Sequence, residues 1–74
     1  MSPSDLRLVH DPDGGQYVAC MVDNSDKYAR VRRFDSAHNA FESGVRCVIP
    51  SWILGPPRDD DPRAVAARKL LGEK

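Results

Sequence analysis

Through the first half of the chain, hydrophobic and polar residues alternate in short runs set apart by turn residues. In "DLRLVH", Leu6 and Leu8 alternate with Arg7, the period of a half-buried strand. "DPDGG" follows, with Pro12 suited to the second position of a turn and Gly14 and Gly15 able to supply positive φ. "QYVACMVD" is apolar on both faces, which marks a strand that is central or covered twice. "NSDK" is a polar link of hairpin length, and "YARVRRF" is the third strand. These runs predict an antiparallel three-stranded meander.

The period then changes. Asp35 or Ser36 can cap a helix, because its side-chain oxygen accepts an unpaired N–H of the first turn. Ala37, Ala40 and Phe41 have the spacing of one helical face, and Gly44 suits the residue past a helix end. A short helix over 37–43 is expected, docking Phe41 onto the sheet. "VRCVI" predicts a fourth strand, stopped by Pro50, which has no N–H for a ladder. In "GPPRDDDP" two prolines stiffen the chain and three aspartates keep it hydrated. Asp61-Pro62 then places a cap and a first-turn proline at the start of a helix over 62–71. Ala64, Ala67, Leu70 and Leu71 share its packing side, with Val65 opposite, and Gly72 marks the stop. The expected fold is α+β: a small antiparallel sheet of three to four strands, one short packed helix and a C-terminal helix. The expected organisation is a domain over 1–54, a linker over 55–61 and a helix over 62–74.

Composition narrows what such an object does. With 74 residues there is material for one domain, and a core of that size supplies only about 3–5 kcal/mol of net stability. A catalytic cleft needs walls such a core can hardly build, so an enzyme is not expected. Eleven Lys and Arg balance eleven Asp and Glu, without the cationic excess of a nonspecific nucleic-acid coat. The charge is nonetheless uneven. Residues 1–26 carry one Arg against five Asp, net −4, whereas residues 27–46 carry five cations against Asp35 and Glu42, net +3. The longest apolar stretch, "CVIPSWILG", is far short of a membrane span, and the first residues lack a signal-peptide core. A cytoplasmic protein is expected, with Cys20 and Cys47 as buried thiols rather than a disulfide.

Two stretches are candidate binding surfaces. On the third strand Arg30 and Arg32 point the same way as Tyr28, with Arg33 opposite. Two guanidiniums about 7 Å apart could grip phosphates or carboxylates in fork geometry. Equally, they could form cross-strand ion pairs with Asp11, Asp13, Asp23 or Asp26. In "PSWIL", three consecutive apolar side chains do not easily face one core: either Trp52 closes the bottom of the core, or Trp52, Ile53 and Leu54 form an exposed anchor for another protein or a second copy. Cys20, Cys47, His10 and His38 are strung out singly, without the close pairs of a structural zinc site, so neither metal nor cofactor is expected. No cysteine lies in the exposed, cation-rich niche that a reactive thiol needs.

The run "GGQYVACMVDNSDKYARVRRFDSAHNAFESG" resembles the arm-binding domain at the front of phage and transposon integrases. The positions carrying the resemblance are Gly15, Tyr17, Asn24 to Asp26, Arg30 to Arg33, Phe34, Ser36 and Ala40. The resemblance implies three strands laid in a DNA major groove and braced by one helix. It covers about thirty residues of the 74. The residues themselves favour a non-enzymatic small binding protein, a protein-binding regulator or inhibitor of the accessory type that phages and mobile elements carry. Its surface would be Trp52, Ile53 and Leu54. The alternative is a nucleic-acid-binding module using Tyr28, Arg30, Arg32 and Arg33.

Overall fold

Turn chemistry sets the first hairpin. In the computed structural model, which describes residues 3–72, β1 (Leu6–Asp11) and β2 (Gly15–Asn24) pair antiparallel from Leu6↔Cys20 to Asp11↔Gly15. The Asp11 carboxylate accepts from the Asp13 N–H at 2.8 Å, and its carbonyl accepts from the Gly14 N–H at 3.2 Å. Gly15 takes φ +77°, which glycine adopts without side-chain cost. β3 (Ala29–Asp35) returns along β2 after a link closed by the Ser25 N–H donating to the Tyr28 carbonyl at 2.8 Å.

The sheet does not end at the meander. β4 (Ala40–Phe41) and β5 (Arg46–Val48) both pair antiparallel with β3, and β6 (Ile53–Gly55) pairs antiparallel with β1. The order is β4-β3-β2-β1-β6, with β5 also beside β3. Two 3₁₀ turns, Pro3–Asp5 and Pro50–Trp52, and one helix, α1 (Pro62–Leu70), complete an α+β fold. The six strands exceed the three or four expected. One extra strand, β6, comes from "ILG", which spans the expected end of the domain at 54 and the expected start of the linker at 55. The other stands where a helix was expected.

That second difference has a local cause. Residues 36–39 form a turn, and the chain folds back so that Phe41 faces Phe34 edge-on, centroids 5.4 Å apart at 66°. The Asp35 carboxylate accepts from the Ala37 N–H at 3.1 Å, two residues on. An Asx turn and a helix cap use this same bond, so the cap signal did not choose between them. A two-turn helix is too short to hold itself together, whereas β4 gains an aromatic pair and a ladder to β3.

β5 and β6 lie on opposite sides of the meander, four strand spacings apart, or about 19 Å if the sheet were flat. The chain crosses from Val48 to Ile53 through the turn Pro50–Trp52, where each residue advances only about 2 Å. The sheet must therefore curl. Register shifts at Met21/Asp23 and at Leu8/Val9 supply the bends.

Curling gives β2 two buried faces, as its unbroken apolar run predicts. Tyr17 and Ala19 point inward with Val9, Ala29, Val31 and Val48. Val18 and Cys20 point outward and pack with Leu6, Phe34 and Ala67. α1 covers this outer face through Ala64 and Ala67, both fully buried, whose small side chains allow a close approach. The cap at its start is as expected: Asp61 Oδ1 accepts from the Arg63 N–H at 2.9 Å and Pro62 follows. Arg63 also donates to the Gln16 carbonyl at 3.1 Å, tying the helix start to β2. The expected packing side needs one correction. Leu71 packs on the outer cluster, but Leu70 is half exposed, because 100° per residue carries it round to the flank of the helix.

Candidate functional site

β3 is the middle of the charged region, since β2 runs along one side of it and β4 and β5 along the other. Alternation sends Ala29 and Val31 into the inner core and leaves Arg30 and Arg32 on the opposite face. Each arginine finds a partner within the chain. Arg30 lies across from Asp23 and binds its carboxylate, Nε donating to Oδ1 at 2.9 Å. This hydrogen bond holds the Asp23 carboxyl below the usual carboxylate range. Arg32 Nη1 donates to the carbonyls of Ser43 at 2.6 Å and Glu42 at 3.2 Å. Arg33 Nη1 donates to Glu42 Oε2 at 3.2 Å. Tyr28, the residue just before β3, is 48% exposed.

Glu42 organises this region, and the sequence reading did not single it out. Its carboxylate takes Arg46 Nε at 2.8 Å as well as Arg33, and these hydrogen bonds, Arg46 first, hold its carboxyl below the ordinary range. Both guanidiniums lie over the Tyr17 ring, Arg33 at 5.8 Å and Arg46 at 5.7 Å from its centroid. Tyr17 itself is buried, and no described group pairs with its hydroxyl. Burial pushes the phenol upward from its usual range, with the two arginines opposing. In sequence Glu42 lies outside the basic strand, and only the β3–β4 hairpin brings it alongside.

The "PSWIL" stretch divides. Trp52 and Ile53 are partly buried against the inner core, Ile53 facing Val9 across the β1–β6 pair. Leu54 is 55% exposed, and Ile49, just before the 3₁₀ turn, is 50% exposed. Among the described residues β6 pairs only with β1, so this apolar rim borders a sheet edge. The neighbouring cysteine also differs from expectation. Cys20 is buried, but Cys47 is exposed, because Val48 takes the inward position on β5 and its neighbour must turn out.

Among the described residues no three His, Cys, Asp or Glu side chains come together as metal ligands would. No helix of the described residues is long and apolar enough to cross a membrane. No known protein family matches the chain, and neither a curated protein nor a solved structure matches it.

Proposed function

We propose that this chain is a small non-enzymatic binding protein that engages another protein through the rim formed by Trp52, Ile53 and Leu54, extended by Ile49. The observation that carries this reading is the exposure of Leu54 and Ile49 on either side of the anchored Trp52. A rigid aromatic flanked by open aliphatic side chains is the form that interface anchors take. The proposed role is stoichiometric: a cytoplasmic regulator or inhibitor, of the accessory kind found in phages and mobile elements, that covers a surface of something larger.

The alternative, a nucleic-acid module, rests on Tyr28, Arg30, Arg32 and Arg33 gathered on and beside β3. It is the weaker reading, because Asp23, Glu42 and two carbonyl groups already occupy these cations. A phosphate would have to displace them.

One set of variants separates the two. Leu54→Asp changes an exposed side chain, so the fold should survive. Affinity capture from the native host should recover a protein partner with the wild type and with Arg32→Glu, but not with Leu54→Asp. Capture indifferent to Leu54→Asp would refute the protein-binding reading. Fluorescence anisotropy with duplex DNA at two salt concentrations tests the alternative, which requires affinity falling steeply with salt and lost in Arg32→Glu.

A further inference from the structure

α1 buries one side and leaves the other bare. At 100° per residue, Ala64, Ala67 and Leu71 face the sheet, Val65 and Lys69 face away, and Leu70 and the partly buried Ala66, which also touches the outer cluster, lie at the borders of the outward side. Val65 is 38% exposed and Leu70 47% exposed. This outward side lines a shallow groove bordered by Asn39 of the β3–β4 turn and by Asp60 before the helix start. An apolar middle thus carries an acid beyond one end and a base at the other.

We propose that a second copy of this chain covers the groove, the two α1 helices packing antiparallel about a two-fold axis between Val65 and Ala66. Charge complementarity selects this occupant. In a two-fold interface each contact occurs twice with the roles exchanged. Antiparallel pairing sets Val65 of each copy over Ala66 of the other, large against small. It also sets Lys69 of each beside Pro62 of the other, within side-chain reach of Asp60. A parallel pair would instead oppose Lys69 to Lys69 and Asp60 to Asp60. Lys69 makes no ion pair with any described residue. Among the described residues Asp60 pairs only with Arg58, and both side chains are largely exposed, a weak arrangement that can yield to a better one. A formal net charge of zero removes the long-range repulsion that keeps identical chains apart. One helix face is small for an interface, so the pair should be reversible, with a dissociation constant of about 1–100 µM.

Sedimentation velocity over a concentration series tests the proposal. The wild type should self-associate. Lys69→Asp and Asp60→Lys should each weaken the pair roughly tenfold or more, through like charges brought together. The double variant Asp60→Lys/Lys69→Asp should regain most of the wild-type affinity. Both positions are exposed, and unchanged thermal melts at low concentration would show that the fold is intact. Leu54→Asp should leave association unchanged, which keeps this test distinct from that of the β6 rim. A wild type that stays monomeric across the series overturns the proposal. So do single variants that associate normally, a double variant that does not recover, or a dimer broken by Leu54→Asp.

Discussion

Asn39 decides between the two conformations that residues 36–41 could adopt. It is the last residue of the β3–β4 turn and sits at φ +49°, the left-handed region. Its N–H donates to the Ser36 carbonyl at 3.3 Å, and Ala40 next to it pairs with Asp35. Glycine reaches this conformation without strain, whereas a Cβ there costs about 1–2 kcal/mol. Alanine recovers part of that, roughly 0.4–1 kcal/mol, by restricting the unfolded chain. Asn39→Ala should therefore be about 1 kcal/mol less stable than Asn39→Gly. If 37–43 were a helix, the order would reverse, because glycine inside a helix is about 1 kcal/mol worse than alanine. The two structures thus differ by roughly 2 kcal/mol in one comparison, and they differ in sign. Urea unfolding of the two variants measures it. A chain of this size should show midpoints separated by about 4–8 °C in a parallel thermal melt. An Asn39→Ala protein more stable than Asn39→Gly would refute the hairpin and restore the helix.

Four further outcomes follow from the buried tyrosine, the Glu42 pairs, the lowered carboxyls and the two thiols. Tyr17→Phe keeps the ring under Arg33 and Arg46 and removes a buried hydroxyl without a partner, so it should be neutral or stabilising by about 1 kcal/mol in urea titration. Glu42→Gln loses ion pairs to Arg33 and Arg46 at a partly exposed site and should cost roughly 0.5–1 kcal/mol at neutral pH. The carboxyls of Asp23, Asp35, Glu42 and Asp61 are all held low, chiefly by side-chain hydrogen bonds from Arg30, His38, Arg46 and Arg63 respectively. Unfolded, such groups ionise near about pH 4. Their contribution is complete above that value and is lost as pH falls through the lowered folded values. Melting temperature should hold from neutral pH down to about pH 5 and then drop, and the drop should be smaller in Glu42→Gln. A thiol reagent should modify Cys47 at once in the native protein and Cys20 only on unfolding, since Cys20 is fully buried and its thiol is pushed upward by burial.

The strands were legible where one residue type could face only one way. The unbroken apolar run of β2 announced two covered faces, and the cap at Asp61-Pro62 placed α1 within a residue. Residues 35–41 were not legible, because local signals there fit two answers. An aspartate that caps a turn looks like one that caps a helix, and the Ala37, Ala40, Phe41 spacing fits a helical face. What settled the matter was contact between Phe34 and Phe41, seven residues apart and reachable only through the reversal. β6 was missed for a related reason. Three residues before a proline pair do not show a period, and their pairing with β1 depends on the sheet curling first.

The candidate sites were hidden at the same level. The composition of β3 shows that arginines gather there, yet whether they form a binding surface depends on what stands opposite, and register alone supplies that. Asp23 faces Arg30 across one ladder, while the hairpin brings Glu42 to Arg33 and, through the following loop, to Arg46. With the arginines of β3 engaged internally, the exposed apolar side chains are the more open candidates for recognition, and two groups of them stand on the β6 rim and on the outer side of α1. The two belong to different elements, so occupying one need not obstruct the other. A pair joined through α1 would carry two rims, and tethering raises the apparent affinity for a repetitive or two-fold partner by about 10²–10⁴. Binding to such a partner should then fall steeply in Lys69→Asp, which keeps the rim but loses the tether, and vanish in Leu54→Asp, which keeps the tether but loses the rim. Equal partner affinities for Lys69→Asp and the wild type would show that the two surfaces act independently.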